Sequence, residues 1–237
     1  TPLLDGLVVF CLTAFGVSHQ SPYLYLSSIC VVEYPTGRNS QFFEMTKNMS
    51  QTAFTFLTSL ESLTHHPDVV EELFYLGARM IEKCPEPLAS THDVLFPLLQ
   101  CALVGMRLDH VHANRGTMHF VDQVVSYASK AAAPAALIEV APTLVSNLLQ
   151  ALLGALPAYC VVGERGSISG ILHGLSRIPN VPLEGLLQAS MPVDAPQFPA
   201  VEMCKALVAK APRRDVEDKV HSLYAACQRK RGFVARE

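Results

Sequence analysis

Charge is scarce in this sequence. Only 16% of its 237 residues are charged, and the formal net charge is −3. A chain without a strong field of either sign is not drawn as a whole to nucleic acid or to an anionic membrane surface. We therefore expect no direct binding of nucleic acid, and we expect any charged partner to be recognised through a local cluster of side chains.

Closely spaced cysteines are also missing. The 7 cysteines are odd in number, and no two lie two or three residues apart: Cys11, Cys30, Cys84, Cys101, Cys160, Cys204 and Cys227. That spacing fits neither a zinc site nor a disulfide framework. Free thiols scattered through apolar segments are typical of a reducing compartment, so the sequence predicts the cytosol or nucleus.

No catalytic motif is complete. The segment 163–170, Gly-Glu-Arg-Gly-Ser-Ile-Ser-Gly, lacks the Gly-Lys-Ser/Thr ending of a phosphate-binding loop, and no strand precedes it. It is interpreted as a connection before a helix. Serines and histidines are plentiful, but a Ser/His/Asp set means nothing without geometry. The sequence predicts no catalytic residue, no bound cofactor and no enzyme activity.

One loop gathers side chains of the types that bind metals, Asp109, His110, His112 and Asn114. No further ligand lies near them in the sequence, so no metal site is predicted. Asp109 is expected instead to cap the following helix, and Asn114 to bond the loop backbone. The pair at 65–66, His-His, is interpreted in the same way, as an exposed or capping pair at a helix entry.

Two stretches, residues 6–32 and 140–163, contain no charged residue, and each is long enough to span a bilayer. Residues 19–22, His-Gln-Ser-Pro, place a turn signal in the middle of the first stretch. Asn147 and Gln150 lie one helical turn apart in the second. Both stretches are therefore predicted to be helices buried between neighbouring helices, without membrane insertion.

Helical periodicity is present nearly everywhere, and no strand pattern is convincing. Between residues 67 and 84, apolar residues recur at steps of three and four: Val70, Leu73, Phe74, Gly77, Met80, Ile81 and Cys84. Glu71, Glu72, Arg79, Glu82 and Lys83 occupy the other side of this helix, which Pro67 opens and Pro85 and Pro87 end. The next helix, 93–107, is apolar on nearly every face, so we expect it to be covered on both sides.

Helices are predicted near residues 2–16, 22–34, 39–62, 67–84, 93–107, 111–129, 134–156, 160–178, 180–191, 197–211 and 213–231. Their starts recur at roughly 20-residue steps, so a two-helix unit recurs at about 40 residues, as in HEAT and armadillo arrays. Short connections make each helix the antiparallel neighbour of the one before. The sequence predicts an all-α fold, a HEAT-type α-α superhelix of antiparallel hairpins that forms one solenoid segment over residues 1–237.

Local charge is concentrated at the carboxyl end, residues 213–237, predicted to be a basic capping helix and tail. Its cations outnumber its acids, and Val216, Val220, Leu223, Tyr224 and Cys227 supply an apolar stripe. A capping helix that ends the array explains this pattern structurally. The alternative is a docking patch for an acidic or phosphorylated protein. Its candidate protein-binding residues are Arg213, Arg214, Arg229, Lys230 and Arg231.

Three blocks of sequence resemble a known family. Residues 23–34, Tyr-Leu-Tyr-Leu-Ser-Ser-Ile-Cys-Val-Val-Glu-Tyr, and residues 66–81, His-Pro-Asp-Val-Val-Glu-Glu-Leu-Phe-Tyr-Leu-Gly-Ala-Arg-Met-Ile, look like the carboxyl-terminal HEAT repeats of the transportin-SR and importin-thirteen group of importin-β (karyopherin-β) nuclear transport receptors. Residues 108–120 resemble that group's pattern of Leu-Asp-His, Ala-Asn, then Met and Phe. Beyond residue 130 the resemblance fades.

The resemblance implies a nuclear import receptor that carries protein cargo, such as Arg-Ser-rich splicing factors, through the pore under control of Ran-GTP. It implies contact with nucleoporins and shuttling between cytoplasm and nucleus. In the family, the surface for Ran and the arginine-rich helix for cargo precede the matched repeats, so no residue of either is assigned here. Because position 1 is Thr1 rather than methionine, we expect a piece of a longer receptor. A generic HEAT scaffold for assembly of a protein complex is the alternative function.

Overall fold

The computed structural model of the chain describes residues 2–34, 37–130, 133–158, 165–191 and 196–234; within these ranges the side chains of 135, 136, 140, 155–158, 165 and 230–234 are not described. The described residues form helices and no strand, which confirms the all-α prediction. The helices are α1 (Pro2–Ser18), α2 (Ser21–Glu33), α3 (Asn39–Phe54), α4 (Leu60–His65), α5 (Pro67–Lys83), α6 (Pro85–Ala89), α7 (His92–Gly105), α8 (Val111–Ala128), α9 (Ala135–Ala158), α10 (Arg165–Leu175), α11 (Leu183–Ser190), α12 (Gln197–Val208) and α13 (Arg213–Val234). Among the described residues, none of these helices combines the length and the apolar character that crossing a membrane requires.

The chain divides into two compact units. The first comprises residues 1–127 and 134–137, and the second comprises residues 128–133 and 138–237. The single solenoid over residues 1–237 stays a prediction.

The first unit is a two-layer stack of antiparallel hairpins. In one layer α1 packs against α3, and α3 against α7. In the other layer α2 packs extensively against α5, and α5 contacts α8 through glycines described below. Stacking in this way buries a continuous core, which no single hairpin could form alone.

α5 is the central helix of this stack. All seven residues of its predicted apolar face are buried, and Leu76 and Ala78 on the other side are fully buried as well. Arg79 also points inward, because a guanidinium NH of Arg79 donates a hydrogen bond to Oγ of Ser28 on α2. The predicted polar face of α5 is therefore partly an interface with α2.

The predicted helix over residues 39–62 is wrong in one respect, because the structure divides it into α3 and α4. The N–H of Ser62 donates to Oγ of Ser59 at 3.2 Å, and the N–H of Ser59 donates to Oγ of Ser62 at 2.9 Å. This reciprocal capping box satisfies donors that a helix start leaves free, so a new helix begins at Leu60.

The prolines after α5 end it as predicted, but they also begin the short helix α6, which the sequence analysis missed. Pro85 lies at the first helical position, where its missing N–H costs nothing. α7 is less covered than predicted: Phe96 and Leu103 are only half-buried, and Gln100 is exposed. α5, rather than α7, is the more enclosed helix of this pair.

The second unit contains four helices with described packing. α13 lies against both α10 and α12, and α11 packs on α12. The predicted helix 160–178 is observed as α10 from Arg165, and residues 160–164 lie outside the described part of the chain. Side chains of α10, α12 and α13 form the core of this unit: Ile168, Ile171, Leu172, Leu175, Met203, Leu207, Val216, Val220 and Leu223.

Candidate protein-binding surfaces

The five cations predicted as a docking patch lie on α13 but do not form one patch. Arg213 and Arg214 are exposed in the first turn, and Arg229 is exposed near the other end. Arg213 and Arg229 are 16 positions apart on one helix, which corresponds to about 24 Å along the axis. The backbone of Lys230 and Arg231 belongs to α13, and their side chains lie outside the described residues. The prediction therefore concerns two separate surfaces.

The apolar stripe predicted on α13 is buried. Val216 and Val220 are fully buried, Leu223 and Cys227 nearly so, and Tyr224 is half-buried. This stripe accounts for the packing of α13 against α10 and α12. The exposed arginines are thus held on a helix that is well anchored in the second unit.

A cluster that the sequence analysis did not find surrounds Arg213. Arg177, just after α10, donates its Nε–H to Nε2 of His173 at 3.0 Å, and one of its terminal NH groups to the carbonyl oxygen of Lys210 at 3.4 Å. Arg213 lies close enough to influence the titration of His173. We name Arg177, Lys210 and Arg213, together with His173, the Arg177 cluster.

His173 is the neutral member of the Arg177 cluster. Partial burial lowers the pKa of His173, and the positive charges of Arg177 and Arg213 lower this pKa further. Since Nε2 accepts a hydrogen bond from Arg177, the ring carries its proton on Nδ1. The imidazole therefore positions Arg177 without adding a charge of its own.

Within the described parts of the second unit, no carboxylate forms an ion pair with the cations of the Arg177 cluster. Among the described residues, none of the ion pairs involves Arg177, Lys210 or Arg213, and Asp215 in the same helical turn as Arg213 joins none either. By contrast, Lys205 and Lys219 both pair with Glu202, at 3.1 Å and 3.8 Å. The cluster is therefore a localised positive charge, whereas Lys205 and Lys219 share the carboxylate of Glu202.

An apolar groove lies between α11 and α12. Its volume is about 610 Å³, and most of its walls are apolar: Leu187, Met191, Ala200, Val201, Cys204 and Val208. Glu184 and Lys205 stand at opposite walls. On the same helix as Val201, the ring of Phe198 is 79% exposed. A groove of this composition suits an apolar side chain of a partner better than a polar metabolite.

A second groove, of about 320 Å³, lies where α7 meets the connection between α3 and α4. Its lining includes Pro97, Cys101 and Val104 on one side and Phe54 and Leu57 on the other. Burial raises the pKa of the Cys101 thiol to about 12, so this thiol is not a nucleophile at neutral pH. Nothing in this groove resembles an active site.

The loop that carries metal-binding residue types has a structural role. Asn114 is buried and donates Nδ2–H bonds to the carbonyl oxygens of Met106 and Leu108, at 3.0 and 3.3 Å, which confirms its predicted role. The cap of α8 differs from the prediction: Nδ1 of His110, rather than the Asp109 carboxylate, accepts the N–H of Ala113 at 3.3 Å. His110 directly precedes the helix, whereas Asp109 lies one residue too early.

The other histidines and thiols that the structure describes do not converge on a site. His65 and His66 are both exposed, and the ring of His66 lies edge-on to Phe56 at 5.3 Å rather than capping α5. In the part of the chain that the structure describes, no group of three or more metal-ligating side chains exists. Burial raises the pKa of five thiols, those of Cys11, Cys30, Cys84, Cys101 and Cys204. These cysteines behave as small apolar residues.

Comparison with known proteins identifies a relative among transport proteins. The chain is 28% identical over 111 residues to Transportin MOS14 of Arabidopsis thaliana, and the match covers 45% of this chain. The chain spans only 11% of the length of that relative. No protein-family model matches the chain.

Proposed function

We propose that this chain is a segment of an importin-β type nuclear transport receptor and contributes to the binding of protein cargo. The observation that carries the proposal is the similarity to Transportin MOS14 over 111 residues. The three blocks at residues 23–34, 66–81 and 108–120 resemble the same kind of receptor in their order and spacing. The proposed role does not include catalysis.

The architecture of the first unit supports this role. Stacked hairpins present two layers of helices and therefore extended surfaces on which a protein can lie. The blocks that resemble transport receptors supply core residues of this stack, among them Leu24, Val31, Phe74, Met118 and Phe120. The blocks that resemble transport receptors therefore contain residues that pack the repeats together.

The partners proposed for the receptor follow from the family. Arg-Ser-rich splicing factors are the proposed cargo, Ran-GTP the proposed release signal, and nucleoporins the proposed contacts within the pore. Shuttling between cytoplasm and nucleus is the corresponding location. The surface for Ran-GTP is proposed to lie outside residues 1–237, because none of its residues is assigned in this chain.

The end of α13 is proposed as one docking surface for an acidic partner. Arg229 is exposed there, and Lys230 and Arg231 follow it on the same helix. Reversing all three to glutamate, in Arg229→Glu, Lys230→Glu and Arg231→Glu, should weaken binding of an acidic cargo at low salt. Unchanged affinity at low salt would exclude this surface.

A pull-down with Ran tests the receptor proposal against the scaffold alternative. The complete protein in which these 237 residues occur would be immobilised with an Arg-Ser-rich cargo and then exposed to Ran loaded with a non-hydrolysable GTP analogue. Release of cargo by this Ran, and not by Ran-GDP, is expected. Retention of cargo with both forms would instead favour a generic HEAT scaffold that assembles a complex.

A further inference from the structure

The Arg177 cluster draws its residues from three places in the second unit, and the Arg177 guanidinium lies against the backbone of Lys210. Arg177 follows α10, Lys210 lies between α12 and α13, and Arg213 begins α13. The hydrogen bonds of Arg177 to His173 and to the carbonyl oxygen of Lys210 fix its guanidinium at this point. Bringing like charges together is unfavourable unless an anion balances them.

Many donors of these cations have no partner among the residues that the structure describes. Arg177 uses its Nε–H and one terminal NH, so its other terminal N–H groups stay available. Among the described residues, no hydrogen bond or ion pair engages the guanidinium of Arg213 or Nζ of Lys210. A phosphate monoester carries close to two negative charges and three acceptor oxygens, which matches two arginines with free donors and a lysine whose backbone lies beside Arg177.

The surroundings favour a single phosphate over a polyanion. Lys205 and Lys219 share the carboxylate of Glu202, so part of the positive charge on α12 and α13 is already compensated. The whole chain has a formal net charge of −3, which opposes the approach of nucleic acid. A phosphorylated side chain reaching in from another protein meets neither obstacle.

We propose that Arg177, Lys210 and Arg213 form a binding site for a phosphate monoester dianion carried by a partner protein, as on a phosphorylated serine. Arg177 and Arg213 would each donate paired N–H bonds to the phosphate oxygens, and Lys210 would add a flexible ammonium. The neutral imidazole of His173 holds Arg177 in place. This site does not depend on the transport role proposed above.

The test uses the purified chain and a short phosphoserine peptide, with the unphosphorylated peptide, inorganic phosphate and a single-stranded oligonucleotide as separate arms. Binding is measured by fluorescence polarisation and by the pH titration of the His173 ring protons in NMR spectra. We expect the phosphopeptide to bind about 10-fold or more tightly than its unphosphorylated form. The nearby dianion should also raise the pKa of His173 from its lowered value.

Charge-neutralising variants localise the site. Arg213→Gln and Lys210→Gln should each weaken phosphopeptide binding by about 10-fold, because each removes a charge-assisted contact. Lys219→Gln removes the same charge from α13 at a side chain already paired with Glu202, and it should bind as the parent does. Thermal melting checks that every variant is folded.

Four results would overturn the proposal. One is equal affinity for the phosphorylated and unphosphorylated peptides. Another is an equal effect of Arg213→Gln and Lys219→Gln. The third is tighter binding of the oligonucleotide than of the phosphopeptide through these residues. Competition by inorganic phosphate alone, with no advantage for the peptide, would indicate an adventitious ion only and would also overturn it.

Discussion

Gly116 of α8 lies so close to Glu71 of α5 that a Cβ atom at Gly116 would come within 2.9 Å of the Glu71 carbonyl oxygen and 3.2 Å of its Cα. The two helices therefore touch through backbone at this point. Gly77 of α5 makes a similar close approach to the ring of Phe120 on α8, at 2.9 Å. The packing of α8 on α5 depends on the absence of side chains at these two positions.

Gly116→Ala should destabilise the first unit by about 1–3 kcal/mol, because the neighbouring atoms are backbone and cannot move aside. Gly6→Ala is the matched control, since a Cβ there meets nothing within 4 Å. That control should be neutral or stabilise the chain by up to about 1 kcal/mol, since alanine favours a helix interior. Urea unfolding curves of both variants measure the difference. Equal midpoints would show that the close approach of Gly116 to Glu71 does not affect stability.

Asn114→Asp should destabilise the chain more than Asn114→Ala. The alanine variant leaves the carbonyl groups of Met106 and Leu108 without their buried donor, at a cost of about 1–3 kcal/mol. Aspartate adds a negative charge facing those oxygens. His112→Ala, at an exposed position two residues earlier, is the control and should stay within about 0.5 kcal/mol of the parent. The order of urea midpoints tests the prediction, which a more stable Asn114→Asp variant would contradict.

Glu72→Gln should stabilise the chain at neutral pH. Burial raises the pKa of Glu72, Glu71 raises it further, and Oε2 of Glu72 is buried without a hydrogen-bond partner. Because the folded state binds this proton more tightly, the parent loses stability as the pH rises from about 4.5, the ordinary pKa, through the folded pKa.

The Glu72→Gln variant removes that loss, so its stability should exceed that of the parent at pH 7 and approach it at pH 4. Glu82→Gln, exposed on the same helix, should leave the pH profile unchanged. Thermal melting across this pH range measures both profiles. If the stability of the parent and that of the Glu72→Gln variant changed with pH in the same way, burial of the Glu72 carboxylate would not lower the stability of the parent at neutral pH.

Ser59→Ala should loosen α4 locally. Removing the Oγ that accepts the Ser62 N–H costs about 1 kcal/mol of helix stability. Hydrogen exchange at the α4 amides should accelerate by roughly 5-fold, the equivalent of that free energy. Thr64→Ala, whose hydroxyl bonds only within the helix to Leu60, is the control. Equal exchange rates in the two variants would show that the capping box does not hold α4.

Much of the fold could be predicted from the sequence, because the helical spacing of apolar residues and the positions of prolines are local signals. The pattern of residues 67–87 predicts the buried face of α5 and the prolines that begin and end this helix, and the structure shows both. The break before α4 was missed, since Ser59 and Ser62 form a capping box with serine where the usual pattern has Glu or Gln. The hydrogen bond from Asn114 to the loop backbone was also predictable, because it joins residues that are close in sequence.

The candidate site was less predictable. The cations at 213–231 follow one another in sequence, which predicts one patch, although the helix separates Arg213 from Arg229 by about 24 Å. Arg177 and Lys210 are 33 residues apart, and only the packing of α10 and α13 brings this region together. No local pattern marks such a cluster, because its members come from three elements.

Import measured directly is the sharpest test of the transport role. Permeabilised cells would receive a fluorescent Arg-Ser-rich cargo together with the complete protein in which these 237 residues occur. We expect several-fold greater nuclear accumulation of cargo than in cells without this protein, and loss of that accumulation when GTP-locked Ran is added outside the nucleus. If the protein bound the cargo in solution but did not increase its nuclear accumulation, the proposed transport role would be wrong.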